Sequence, residues 1–435
     1  MIPELAHGVG RVYESPIPAY LYAVGAGVTV LLSFLLRALA GDRVAAEKNR
    51  RVAGPAVARG IATVLRVVAL VFLGLLVVSA VLEEQRGLTL APLLFWVALI
   101  VGTTTLCLLL GAAWEKADPW RTLEGLYRIE EEGEEDGRAP LDPPWWIGPL
   151  LVYALFWFEL VSDVGFDPAG VLGAIVVYSM IVFSVRHRVG DRWPLVDPLS
   201  ILFGYASATS PLELRDDGVF YRGLGGIDRR DAMPRALFAS VFVLLASTTL
   251  DNVTETVGWS SFVTGTGLDA LPGEVVESVA FLAFALMFLV PFLGAIAAGG
   301  RTARGTESLE GAARAFGWSL VPIGVAYVIA HNAPLLLTGV PQLLRELSDP
   351  LGLDWNLLGT RELWSGFSPS PQLVWYLEIA LIVGGHVLGV LVAHRTAVRI
   401  AGDHASAVRS QWALTVLMSV YTIATLWLLA QPLVA

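Results

Sequence analysis

Cysteine is almost missing from this chain of 435 residues: Cys107 stands alone, inside an apolar run. A single thiol excludes an intrachain disulfide framework and any C-x-x-C metal or redox pair, and in such a run it is expected to pack as a small hydrophobe. Lysine is nearly missing too, occurring only at Lys48 and Lys116, so arginine carries almost all positive charge. An acidic, lysine-poor surface suits concentrated salt, and a GC-rich genome also favours Arg over Lys. Charge of either sign is scarce, at 16% of residues against 55% hydrophobic. Soluble domains carry about a quarter charged residues, so a chain of several soluble domains is excluded. No H-E-x-x-H, G-x-x-x-x-G-K-[ST] or G-x-S-x-G string occurs. Their absence removes the simplest zinc-protease, nucleotide-binding and serine-hydrolase readings.

What is present is apolar sequence cut into lengths. The mean hydropathy is +0.65, and the apolar residues fall into separate runs of roughly 17 to 25, the length that crosses about 30 Å of hydrocarbon as a helix. The expected fold is therefore an all-α, polytopic transmembrane helix bundle in a single integral membrane domain. Ten spans are predicted, near residues 17–39, 61–82, 91–113, 145–162, 168–185, 234–250, 276–297, 316–340, 373–394 and 411–430. The net charge of −10 lies in the connections, notably among residues 130–136. Residues 1–10 have no basic leader ahead of an apolar core, so the N-terminal segment is expected to be retained.

Arginine placement orients the bundle, because cytoplasmic loops hold the Arg and Lys that resist translocation. The connections after the first, third, fifth, seventh and ninth spans are rich in arginine, whereas the others hold only Arg11, Arg86, Arg345 and Arg361. This alternation predicts a cell-membrane protein with both termini outside. Arg66 lies within a span, close enough to its inner end for the long stem to snorkel. The connection 251–273 has no basic residue and contains the sequon Asn252-Val253-Thr254, a glycosylation acceptor pattern on the outer side.

Two inner connections share the pattern D-P-x-x-x-L-x-G, from Asp118 to Gly125 and from Asp197 to Gly204, with a fainter echo at Ser308-Leu309-Glu310-Gly311. Asp is a helix cap and Pro suits the first helical position, so each segment is expected to begin a short helix at the membrane surface. Trp120, Leu123 and Tyr127 would then face lipid or the bundle. Either a duplicated hairpin unit or recurrent helix-start chemistry explains the echo.

Ionisable residues inside spans are costly and so mark candidate sites. Counting from the inner span ends at ~1.5 Å per residue puts Glu159, His331 and Glu378 at roughly 21, 22 and 24 Å, and Asp251 at roughly 25 Å. Asn252 and Asn332 adjoin them, and a shared outer polar vestibule is expected. Pro322 and Pro334 bracket His331, and a proline frees the carbonyl about four residues earlier, here that of Ala330. A broken helix with free carbonyls beside a histidine is a way in which transporters hold ions. His386 lies about 10 Å further in than His331 by the same rise, a separation that disfavours one haem iron held by both unless the span boundaries shift. His386 and His394 are eight apart on one face, which outlines a proton path toward the inner surface. Gly385 and Gly389 form a small-x-x-x-small pattern for close helix packing.

Several strings carry a resemblance: Ala6-His7-Gly8-Val9-Gly10, Asp118-Pro119-Trp120-Arg121-Thr122-Leu123, Val328-Ile329-Ala330-His331, Gly385-His386 and Val408-Arg409-Ser410-Gln411. Together they resemble an uncharacterised prokaryotic family of multi-span membrane proteins, some members of which are labelled fenitrothion hydrolase. The family pattern has Asn where this chain has Asp118 and Gln near the position of Glu378. The resemblance carries over no catalytic residue.

Three functions compete. The first is a transporter-like protein whose vestibule, with His331, Glu378, Glu159 and Asn332, receives a small solute or cation, with His386 and His394 as proton path. The second is a membrane metalloprotein or metal-dependent hydrolase with His331, Glu159, Glu378 and His7 as ligands. The third is a non-catalytic subunit of a membrane complex. The sequence specifies no cofactor and neither requires nor excludes an enzyme. The expected partner is the lipid bilayer; nucleic acid is not, since the basic residues follow membrane topology.

Overall fold

The computed structural model describes residues 19–40, 49–86, 90–129, 140–227, 231–300, 308–362, 369–401 and 404–429. The chain is chiefly helical. In order run α1 Ala19–Ala40, α2 Pro55–Arg86, α3 Leu90–Leu110, α4 Pro119–Ile129, α5 Ile147–Leu160, α6 Pro168–Val189 and α7 Pro198–Thr209. Then follow α8 Arg235–Thr254, α9 Val257–Thr266, α10 Gly273–Gly300, α11 Leu309–Gly317, α12 Val321–His331, α13 Ala333–Glu346, α14 Pro371–Ala401 and α15 His404–Leu429. Among the described residues seven helical stretches are long and apolar enough to cross a membrane, or eight if the bent pair α11–α12 is one span. Residues 24–36 of α1 and helix α5 are apolar but shorter.

The helix starts are written locally. Asp167 accepts from Ala169 N ahead of Pro168 at the start of α6, and Asp197 from Ser200 N (2.8 Å) ahead of Pro198 at the start of α7. Thr256 caps α9, and Ser308 caps α11 by accepting from Gly311 N (3.0 Å). Each side-chain oxygen satisfies an orphan N–H of the first turn. Gly190, at φ 58°, ends α6 where a side chain would strain the backbone. Within α3, residues Leu93–Gly102 are wound as a π-helix, packed against α13.

Three features differ from the sequence reading. The apolar run 316–340 is not one continuous helix: α11 and α12 meet at 46° across residues 318–320, and the helix breaks again at Asn332. Pro322 and Pro334 each sit in the first turn of a new helix, where their missing N–H is no loss, so they start α12 and α13 rather than kinking one rod. The second Asp-Pro helix, α7, is not superficial; Ile201, Leu202, Phe203 and Tyr205 are buried and the helix packs among α3, α5 and α12. Its sequence has no polar face to offer water. A small antiparallel sheet joins Arg50–Ala53, Leu212–Arg215 and Gly218–Tyr221, with the last strand central. Lys116, hydrogen-bonded to Asp216 at the hairpin turn (2.6 Å), holds that carboxyl below the usual carboxylate range.

Two corners at the arginine-rich end converge on α6. Asp118 caps Arg121 N and pairs with Arg186 (2.8 Å), while Tyr178 donates to Asp197 (2.8 Å). Trp120 is buried and donates to Ser179 (2.8 Å), facing the bundle; Leu123 is exposed, and the side chain of Tyr127 lies outside the described residues. Arg66 donates to the Lys116 carbonyl, as a snorkelling side chain at that end would. Cys107 is buried in the core.

Helix contacts set the central bundle. A Cβ on Gly385 would lie 2.5 Å from Ala326 Cβ and 2.8 Å from Pro322 O, and one on Gly389 would lie 2.7 Å from Ser319 O. The glycine pair therefore seats α14 directly on α12. On the outside the pattern inverts: Val64, Val67, Val68 and Val71 of α2 and Val279, Leu282, Leu286 and Val290 of α10 are all exposed.

Candidate functional site

The polar cluster lies at the arginine-poor end, where three helices finish together. Helix α5 ends at Leu160 just after Glu159, α8 ends at Thr254 just after Asp251 and Asn252, and α12 ends at His331. Each C-terminus exposes unsatisfied carbonyls with about half a negative charge. At the end of α12 the Asn332 N–H is shared between the carbonyls of Val328 and Ala330, and the Asn332 side chain also donates to Val328 O.

His331 is the centre. Its Nε2 is in close contact with Asp251 Oδ2, and its Nδ1 faces Asn252 Nδ2 at 3.5 Å. A carboxylate only accepts, so Nε2 carries the proton toward Asp251 and Nδ1 is the acceptor for the amide. Asn252 Nδ2 also donates to Thr248 O (2.6 Å) and to the Tyr327 hydroxyl (3.3 Å), which fixes the amide's orientation. His331 and Asp251 are both part-exposed, at 24% and 17% of their side chains, so the pair is reachable from outside the core. Glu159 and Glu255 act electrostatically on His331, and His331 acts on Glu378 in turn. Glu277 feels Asp163, Asp251 and Glu274, which extends the acidic character of this end.

The structure places Asp251 in contact with His331, Glu159 within electrostatic reach of both, and Glu378 within electrostatic reach of His331. It does not bring in Asn332, whose amide turns back onto Val328 O (2.9 Å); Asn252 takes that role from another helix. The sequon reading of Asn252 fails for the same reason: its amide is engaged within α8 and against Tyr327. Tyr327 and Glu255 were missed by the sequence reading. Each lies four residues from a recognised member, Tyr327 from His331 and Glu255 from Asp251, and so on the same helical face.

Among the described residues no three His, Cys, Asp or Glu side chains come together to hold a metal ion. The set His331, Glu159 and Glu378 is therefore not assembled as ligands: Asp251 occupies one imidazole nitrogen and Asn252 the other. His7 lies outside the described residues.

The two candidate proton-path histidines, His386 and His394, are separate from this cluster. His386 is buried, and its Nδ1–H donates to Ile382 O (2.8 Å), because a carbonyl can only accept. His394 is buried two helical turns further in, where Gln411 Nε2 donates to its Nδ1 (3.3 Å) and its ring meets that of His404 edge-on at 5.7 Å.

No protein-family model, curated protein or solved structure matches this chain. The site is therefore read from its own chemistry.

Proposed function

We propose that the chain is an integral cell-membrane protein with ten spans and both termini outside, and that it is transporter-like, with an outer polar vestibule that binds a small cation. The outward-facing valines and leucines of α2 and α10 support the membrane reading, since water does not accommodate such faces along whole helices and hydrocarbon does. To reach ten, the seven long stretches are joined by the bent pair α11–α12 and by the shorter helices α1 and α5.

The observation that carries the cation reading is the convergence of three helix C-termini on Asp251 and His331, with Glu159, Glu255 and Glu378 close by. Carboxylates and helix C-termini both favour a positive charge at this place, and the His331 imidazole paired with Asp251 can carry one. An anionic solute would be disfavoured there. His386 and His394 remain the proposed inner proton path, each already held in one tautomer by a local partner. The metal-dependent reading is less well supported, because both ring nitrogens of His331 are engaged.

The test is titration of purified protein with methylammonium and alkali cations. Asp251→Asn is expected to weaken cation binding at least tenfold while leaving a monodisperse protein, and His331→Ala to do the same. Unchanged dissociation constants in both variants would overturn the proposal.

A further inference from the structure

A groove opens at the arginine-rich end, at the start of α8 and away from the acidic cluster at its other end. Its walls come from three chain corners: residues 142–145 before α5, Arg192, Leu195 and Val196 after α6, and residues 234–236 at the start of α8. The room inside is about 370 Å³, within the roughly 300–1,000 Å³ of sites that hold organic ligands. Backbone hydrogen bonds tie the three corners down. Leu141 N donates to Arg188 O (2.8 Å), Val196 N to Trp193 O (3.0 Å) and Met233 N to Arg314 O (3.0 Å), so the groove is built into the fold.

The lining carries two cations, Arg192 and Arg235, and one anion, Asp142; every other lining residue is apolar or aromatic. Arg192 pairs with Asp142, and Arg235 with Glu310 (2.5 Å). All four side chains are more than half exposed, and such surface pairs are worth no more than about 1 kcal/mol. An arriving phosphate can therefore draw either guanidinium from its carboxylate, because the guanidinium fork matches phosphate oxygens two at a time. Pro234 brings no side-chain acceptor to the first turn of α8, so the N–H groups there add to the positive character. Trp145 in the wall and its neighbour Trp146 are about half exposed, at 52% and 48%. Tryptophans exposed at a helix start mark the level of the lipid headgroups.

We infer that this groove binds the headgroup of an anionic phospholipid, an inference that rests on the membrane reading and is independent of the vestibule. The phosphate is held by Arg192 and Arg235, and the glycerol and the tops of the acyl chains lie against Trp145 and the prolines. A zwitterionic lipid would bring its own ammonium toward the same two arginines. A soluble phosphate would leave the apolar walls uncovered.

The experiment is native mass spectrometry of the full chain in detergent, titrated with phosphatidylglycerol, with phosphatidylcholine of the same acyl chains and inorganic phosphate in parallel. The unaltered chain is expected to bind phosphatidylglycerol at least about tenfold more tightly than phosphatidylcholine, in keeping with two arginines at a lipid surface. Arg192→Gln combined with Arg235→Gln is expected to lose most of that preference, whereas Asp142→Asn, which releases Arg192, is expected to strengthen it. If the double variant does not fold, Arg192→Gln alone and Asp142→Asn carry the test. Equal affinity for the two lipids, or an unchanged preference in the variants, overturns the inference and leaves the membrane reading standing. Displacement of phosphatidylglycerol by an equal concentration of inorganic phosphate assigns the groove to a soluble anion and also overturns it. A chain that stays monodisperse with detergent and lipid both removed overturns the membrane reading and this inference with it.

Discussion

His331 is held from both sides, by Asp251 at Nε2 and Asn252 at Nδ1. That arrangement makes the residue-scale predictions unequal. Asp251→Asn removes a negative charge and the acceptor for the imidazole N–H together, so cation affinity is expected to fall furthest there. Tyr327→Phe removes only one acceptor from Asn252 and keeps the ring, so titration calorimetry should show a change of no more than about 1.5 kcal/mol, the net worth of one neutral hydrogen bond. Much of this site was legible in the sequence, because an ionisable side chain in an apolar run stands out and helix rise converts position to depth. Depth is not direction, however. Asn332 was misassigned because the helix ends at His331 and its amide caps Val328 instead. Asn252 comes from a different helix, and no periodicity within α12 can announce a partner on α8.

At the scale of elements, two contacts carry testable weight. Gly385 meets Ala326 and Pro322 with no room for a side chain, whereas a Cβ on the adjacent Gly384 would meet open space. Gly385→Leu is expected to destabilise the protein by at least about 1–3 kcal/mol through overpacking, and Gly384→Leu to have little effect. Thermal unfolding of the two variants in the same detergent compares them directly. Asp118 both caps α4 and pairs with Arg186. Asp118→Asn keeps a capping side chain but loses the ion pair, so unfolding should shift by about 1.5–3 kcal/mol, the range for a hydrogen bond to a charged group. The Asp-Pro starts were readable because capping chemistry is local. The burial of α7 was not read, although its lack of any polar face was the available signal. The sheet depends on pairing residues 50–53 with a strand 165 residues later or more, which local patterns do not report.

The whole molecule rests on one asymmetry: arginine gathers at one end of the helices and the acidic cluster at the other. Apolar length and arginine placement made the helix positions legible, since both follow from the cost of moving polar groups into hydrocarbon. The bend between α11 and α12 escaped that reading because residues 318–320 lie inside the apolar run 316–340 and bring no glycine or proline to mark a break. Cys107, the single cysteine, is buried, so introduced thiols can be probed over a quiet background. The decisive measurement is labelling of intact cells with a membrane-impermeant maleimide, using Asp217→Cys at the sheet hairpin and Leu357→Cys at the opposite end, both exposed positions. The account predicts that position 357 reacts from outside and position 217 only after permeabilisation. Labelling of position 217 in intact cells, or equal labelling of both, would contradict it.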